Sequence, residues 1–145
     1  MSGWNMFRLA IASLMIGFAG TAMADEKDAE TCLKDKIWSG YSDGWAVRTA
    51  TTTTLKQDEH RVYLLTLYAG NEYNIRICAD KGSKNVDLIL HDLDGKELLR
   101  DTDESREPTL LYKPAETQTF YVAVYATELS QDSAETGVAL AVTYR

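Results

Sequence analysis

The sequence predicts a mostly β protein: a two-sheet antiparallel β-sandwich, jelly-roll-like, with one short N-terminal helix. From residue 45 to the end, short runs of alternating apolar and polar residues recur with turn residues between them. The apolar positions of several runs point to one side, and two sheets must face each other to bury them.

Residues 1–24 have the three parts of a cleavable signal peptide. Arg8 is the only charged residue among them, residues 9–18 form an apolar run, and an A-x-A cleavage site ends at Ala24 before the polar sequence starting at Asp25. The alternative is a membrane anchor, but a spanning helix needs about 20 apolar residues, and this run is shorter. The prediction is a periplasmic or secreted protein with no membrane span after cleavage.

The acidic balance excludes two classes of partner. The whole chain has 15 basic and 22 acidic residues, and loss of Arg8 with the signal peptide leaves a net charge of −8. Nucleic acid and anionic lipid both attract basic surfaces, so neither is expected as a partner. The remaining length fits one core, with a helix and loop at residues 25–44 and the sandwich at residues 45–145.

The two cysteines, Cys32 and Cys78, both lie in the exported part. An even number of cysteines in an oxidising compartment predicts a disulfide, which would stabilise the fold by about 4 kcal/mol. The alternative is two separate buried thiols. A disulfide would leave neither cysteine free as a nucleophile or metal ligand.

The helix is predicted at residues 28–38, where Cys32, Leu33 and Ile37 share a face and acidic residues lie near the start. Residues 39–44 are predicted to end it as a loop.

Eight strands follow, separated by polar turns that include a loop at residues 80–85 and an Asp-Gly hairpin signal at residues 94–95. Alternation places Ile75 and Ile77 on the core side and Cys78 on the opposite side. A disulfide from Cys78 would therefore hold the helix across the outside of the sandwich. The strands are predicted at residues 45–55, 61–68, 72–79, 86–92, 97–100, 109–112, 119–125 and 137–144.

Three motifs in order resemble the bacterial pre-peptidase C-terminal (PPC-like) domain family: residues 67–75 (LYAGNEYNI), 87–98 (DLILHDLDGKEL) and 119–125 (TFYVAVY). With the closing strand, the resemblance covers about residues 58–145. It implies a jelly-roll-like sandwich without catalysis of its own, which in that family accompanies a secreted peptidase or hydrolase. This chain has no enzyme domain and adds a cysteine-bearing helix, so a stand-alone binding or accessory role is expected.

Acidic residues gather around the predicted hairpin, at Asp87, Asp92 and Asp94. Clustered carboxylates can hold Ca²⁺, which takes six to eight oxygen ligands, and some members of the resembling family bind calcium near such loops. The alternative is that these aspartates only form the turn. No other cofactor is expected.

The histidines, His60 and His91, carry no catalytic motif such as H-E-x-x-H. A hydrolase would need one of them in a pocket beside an acid and a nucleophile. The chain is therefore predicted not to be an enzyme.

Trp38, Tyr41 and Trp45 surround the loop after the helix. Exposed aromatic residues there could stack on sugars or hold a protein partner. The alternative is that they pack the helix onto the sandwich.

The predicted function is that of an exported accessory protein, without enzymatic activity, that binds a protein or polymer partner outside the cytoplasm. A calcium-dependent or carbohydrate-binding module is the alternative, and a small hydrolase a weaker one.

Overall fold

The computed structural model describes residues 24–145, so the predicted signal peptide lies outside the described residues except for Ala24. The described chain begins with a helix and continues as eight strands. These are α1 (Glu26–Tyr41), β1 (Ala46–Lys56), β2 (His60–Leu67), β3 (Tyr73–Ala79), β4 (Ser83–His91), β5 (Glu97–Asp101), β6 (Thr109–Tyr112), β7 (Gln118–Leu129) and β8 (Glu135–Tyr144).

The strands form two antiparallel four-stranded sheets. The first sheet has the order β1-β8-β3-β6, and the second has the order β2-β7-β4-β5. The long strands β7 and β8 are central, whereas the threonine-rich β1 lies at an edge. The predicted two-sheet β-sandwich with one N-terminal helix is confirmed.

The core between the sheets consists of the inward positions predicted from alternation. Ile75 and Ile77 of the first sheet face Leu88 and Leu90 of the second, and all four are fully buried. Burial of one such side chain contributes about 1.5–3 kcal/mol, so this layer supplies most of the drive for folding. Further buried members are Leu55, Leu67, Tyr73, Val86, Phe120, Val122, Val124, Val138, Leu140 and Val142.

The helix α1 lies across the outside of the first sheet. Ala29 and Leu33 pack against Cys78, Ala139 and Ala141 in a second, smaller buried cluster. Small side chains at these outward positions of the sheet let the helix approach closely. No helix among residues 24–145 is long and apolar enough to cross a membrane.

The disulfide is confirmed between Cys32 of α1 and Cys78 of β3, whose Cα atoms are 5.9 Å apart. It joins the helix to the outer side of the first sheet, as the alternation of β3 predicts. The sulfur of Cys78 therefore belongs to the small outer cluster and not to the main core.

The helix is longer than predicted. Residues 39–41 were predicted as the start of a loop, but they are helical, so this part of the prediction is wrong. Gly40 is helical, and its carbonyl accepts hydrogen bonds from the N–H groups of Asp43 and Trp45, beyond the predicted end of the helix. The helix ends through a bond from the Gly44 N–H to the Tyr41 carbonyl, with Gly44 at a φ of +87°.

The second sheet also extends beyond the predicted bounds. Strand β4 begins at Ser83, inside the segment predicted as a polar loop, because Ser83 pairs with Leu129 at the end of a longer β7. Irregular pairing around Asn85 accommodates the polar residues of this segment.

Candidate functional site

The outer sides of the two sheets differ. Helix α1 packs against β1, β3 and β8, which all belong to the first sheet. No other helix occurs among residues 24–145, and none of the described elements lies over the outer side of the second sheet. This side, called the open face below, is available to a partner.

Strand register defines the open face as three rows across β2, β7 and β4. Because Val122, Val124, Leu88 and Leu90 point into the core, their neighbours in sequence point outward. The rows are Leu64, Tyr121 and His91; Val62, Ala123 and Ile89; and His60, Tyr125 and Asp87.

The centre of the open face is apolar and accessible. Leu64 is 62% exposed and Val62 is 47% exposed. Beside them, Ile89 and Tyr121 are half-buried. Exposed apolar groups that adjoin in this way are typical of interaction surfaces, whereas isolated ones are common everywhere.

Both histidines belong to the open face, at opposite corners. The ring of His60 stacks on that of Tyr125, with 5.1 Å between ring centroids and 24° between ring planes. His91 pairs in register with Tyr121. Neither histidine lines any of the three surface cavities described for residues 24–145.

Asp87 is the acidic group of the open face. Burial raises the pKa of its carboxyl above 3.8; the charge of Arg100 opposes this rise, and that of Asp101 adds to it. Its Oδ1 atom is buried and accepts no hydrogen bond from any described residue.

The three aspartates predicted as calcium ligands do not converge. Asp92 Oδ1 accepts hydrogen bonds from the backbone N–H groups of Asp94 and Lys96, at 3.0 and 2.9 Å, so it holds the hairpin turn. Asp87 lies five residues back along β4, which is about 16 Å at the usual rise of a strand. The turn-forming alternative therefore accounts for Asp92.

One cluster of three side chains with metal-binding atoms occurs among the described residues: Cys32, Cys78 and Glu107. Both sulfurs form the disulfide, so they are not thiolates that a metal could use.

The three aromatic residues around the end of α1 have different surroundings. Trp38 and Tyr41 are 72% and 69% exposed and lie edge to face, with 6.1 Å between their rings. Trp45 is buried, and the guanidinium of Arg145 lies 4.5 Å from its ring centroid. Trp45 is thus a packing residue, as one of the two alternatives predicted, whereas Trp38 and Tyr41 are accessible to a partner.

A G-x-S-x-G pattern at residues 40–44 (GYSDG) was missed in the sequence. In hydrolases with this motif, the serine lies in a turn from a strand to a helix. Here Ser42 caps the end of α1, so the order is helix, turn, strand. Ser42 lies on the helix side of the sandwich, and both histidines lie on the other side, so Ser42 pairs with neither histidine.

A cavity of about 400 Å³ lies at one end of the sandwich, lined by Arg48, Tyr68, Asn71 and Tyr73 among others. The guanidinium of Arg48 lies 5.1 Å from the ring centroid of Tyr68. This contact covers one face of the tyrosine ring, which a sugar would otherwise use for stacking.

The open face was also missed in the sequence. The available signal was β2, where Val62 and Leu64 are apolar at outward positions between the inward-facing Tyr63 and Leu65. A strand that is apolar on both sides indicates either burial on both sides or an exposed apolar surface.

No protein-family model and no curated protein matches the sequence. A comparison of structures finds PliG of Aeromonas hydrophila, a periplasmic inhibitor of g-type lysozyme, with 15% identity over 71% of this chain and 90% of that one, at a TM-score of 0.48. It also finds the pre-peptidase C-terminal domain of a Bacillus anthracis collagenase, with 17% identity over 65% of this chain and 87% of that one, again at 0.48. A member of the family that the sequence motifs resemble is thus among the similar solved structures.

Proposed function

We propose that the protein is an extracytoplasmic binding protein, without catalytic activity, that holds a protein partner on its open face. One observation carries the proposal. The outer side of the first sheet is covered by α1, whereas the equivalent side of the second sheet exposes Leu64 and Val62 at its centre. Covering these side chains would remove apolar surface from water, which is the main favourable term in most protein association.

The chemistry of the open face favours a protein over a polysaccharide. Its centre is aliphatic, and sugar recognition relies on free aromatic faces with many hydrogen-bonding groups around them. The ring of Tyr125 is already stacked on His60. Aliphatic groups flanked by tyrosines and by charged residues such as Asp87 resemble the core and rim of a protein interface.

The disulfide supports the predicted compartment. Bonds such as Cys32–Cys78 persist in the periplasm and outside the cell, where thiols are not kept reduced. Together with the signal peptide predicted at residues 1–24, this favours a partner that is itself exported.

The experiment replaces Leu64 with lysine and uses Leu111→Lys as the matched control. Leu111 is 58% exposed and lies on the first sheet. Both changes place a charge on an accessible leucine, but only Leu64→Lys places it in the open face. The wild-type protein, immobilised, captures its partner from a periplasmic extract, and the affinity of the purified partner is then measured for each variant.

The Leu64→Lys variant should bind at least about tenfold more weakly, as expected for a central contact, whereas Leu111→Lys should bind like the wild type. The proposal would be contradicted if Leu64→Lys bound the partner with full affinity, or if the immobilised wild-type protein retained only polysaccharide from the extract. Trp38→Ala is a third arm: if it alone loses the partner, the contact lies at the exposed Trp38 and Tyr41 instead.

A further inference from the structure

A buried carboxylate, that of Asp80, lies just after β3 on the helix side of the first sheet. The residue is 3% exposed. Its Oδ1 accepts hydrogen bonds from the Gly82 N–H and the Thr136 hydroxyl, both at 2.8 Å. Its Oδ2 accepts from the backbone N–H of Gly137 at 2.8 Å and from the backbone nitrogen of Asp25 at 2.7 Å.

This carboxylate has no cationic side chain as a partner within the described part of the chain. The ion pairs found among residues 24–145 involve other acids, such as Glu30 with Lys34 at 3.0 Å, and Asp80 belongs to none of them. Buried charges in proteins are usually paired, because transfer of an isolated charge out of water is strongly unfavourable.

One of the four groups that donate to Asp80 is the backbone nitrogen of the peptide bond that signal peptidase is predicted to cut. The A-x-A cleavage site ends at Ala24, and the nitrogen that contacts Asp80 is that of Asp25. Hydrolysis by signal peptidase adds one water across this bond. The hydroxyl joins the carbonyl carbon of Ala24, and the Asp25 nitrogen gains a proton from water and a second from solvent, to become an ammonium group.

We propose that the Asp80 carboxylate is the binding site for the α-ammonium group of Asp25, which exists only after the signal peptide is removed. Before cleavage the nitrogen is a neutral amide with a single N–H. After cleavage it is a cation with three donors at the same position, so a neutral hydrogen bond becomes a buried ion pair.

The neighbouring residues are arranged to hold a chain terminus here. A side chain at Gly137 would bring its Cβ within 2.7 Å of the Asp25 carbonyl group, so the glycine leaves room for this segment. The Asp25 carboxylate caps the helix by accepting from the Asp28 N–H at 2.9 Å. The Glu26 carboxylate accepts from the Thr54 hydroxyl at 2.7 Å. Chain ends usually fray, and this one is fixed at several points.

The inference rests on the predicted cleavage position and is independent of the partner proposed above. Processing after Ala24 tightens the attachment of α1 to the sandwich. A cut before Ala24 would leave an amide at Asp25, and a cut after Asp25 would remove the residue, so neither would create the ion pair.

The first experiment inserts Gly-Ser between Ala24 and Asp25 of the full precursor, so that the exported protein carries two residues before Asp25. Mass spectrometry establishes each N-terminus, and urea unfolding gives the equilibrium constant for unfolding. The extended form should have a constant about tenfold larger than the native form, because hydrogen bonds to charged groups are stronger than neutral ones. In an Asp80→Asn background, the same insertion should change the constant less than about twofold.

The second experiment needs no variant and therefore does not depend on the folding of Asp80→Asn. The α-amino group of the exported protein is treated with an amine-acetylating reagent in the folded state and in urea. Acetylation in the folded state should be at least about tenfold slower, because the group becomes reactive only when the N-terminal segment opens.

Three results would overturn the inference: a first residue other than Asp25, an insertion that leaves stability unchanged, or an α-amino group as reactive in the folded protein as in urea.

Discussion

At the scale of single residues, small side chains on the first sheet decide where α1 can lie. Ala139 and Ala141 are fully buried beneath the helix, and Gly137 meets the start of the helix segment. Larger residues at these outward positions of β8 would hold the helix away from the sheet. The close approach also positions Asp25 beside Asp80.

The Gly137→Ala substitution should destabilise the protein. Its Cβ would lie 2.7 Å from backbone atoms of Asp25 and Glu26, which cannot rotate away as a side chain would. Overpacking of this kind lowers the free energy of unfolding by about 1–3 kcal/mol, measurable by urea unfolding.

Gly40→Ala is the matched control. Gly40 is helical, and a Cβ there would meet its nearest atom, at the flexible end of Arg76, at 3.4 Å. Alanine favours a helix over glycine, so this variant should be as stable as the wild type or more so. Equal effects of the two substitutions would contradict the assignment of Gly137 as a spacer.

Asp87 should make stability depend on pH. Burial raises its pKa in the folded protein, so the folded state binds the proton more tightly than the unfolded state does. Stability is then lost as the pH rises from about 3.8 through the higher folded pKa. The Asp87→Asn variant should melt roughly 1–3 °C above the wild type at pH 7, and this gap should close at pH 3. Asp94→Asn controls for the change in net charge. A difference in melting temperature between Asp87→Asn and the wild type that is the same at pH 3 and pH 7 would contradict the raised pKa of Asp87.

At the scale of elements, α1 depends on the sandwich for its stability. A helix of 16 residues is marginal by itself in water, and this one buries only Ala29, Leu33 and Gly40. The disulfide and the Asp25–Asp80 contact both hold the N-terminal half of the helix to the first sheet. The main core contains no residue of the helix.

Loss of the disulfide should therefore weaken the protein without changing its strands. For cysteines 46 residues apart, the chain-entropy estimate of the stabilisation is about 4 kcal/mol. Cys32→Ser should lower the melting temperature, while the β signal in far-UV circular dichroism stays the same. Reduction of the wild-type protein should give the same result. A lost β signal in the still-soluble variant would show that the helix is needed for the sandwich itself.

At the scale of the whole molecule, the sandwich has one covered side and one open side. The side with α1 contains the disulfide and the anchored Asp25. The other side contains the aliphatic centre formed by Val62 and Leu64. If the open face binds the partner as proposed, substitutions at Leu64 should alter binding without loosening the helix on the other side.

The molecule should not need calcium for stability. Asp92 is occupied by the hairpin turn, and Asp87 lies about 16 Å away along the same strand. The melting temperature should differ by less than about 1 °C between excess calcium and a chelator, because only a ligand of the folded state stabilises it. Magnesium serves as the control for ionic strength. A saturable rise with calcium alone would support the calcium site predicted from the sequence.

The sequence by itself determined the features that depend on local pattern. Alternation is a property of neighbouring residues, so it placed Ile75 and Ile77 in the core and Cys78 outside, and it identified the class of fold. The pairing of the two cysteines followed from their number and the predicted compartment. The start of β4 was less predictable, because Ser83 takes its strand conformation from pairing with the distant Leu129.

Only the tertiary structure decided which side of the sandwich is covered and which residues meet on the open side. Leu64, Tyr121 and His91 become neighbours through the register of three strands, and no local pattern encodes that register. The tertiary structure likewise placed the Asp25 nitrogen 2.7 Å from the carboxylate of Asp80, 55 residues away in the chain. Contacts of this kind arise when whole elements pack together, and for that reason the covered and open sides could be told apart only in the folded protein.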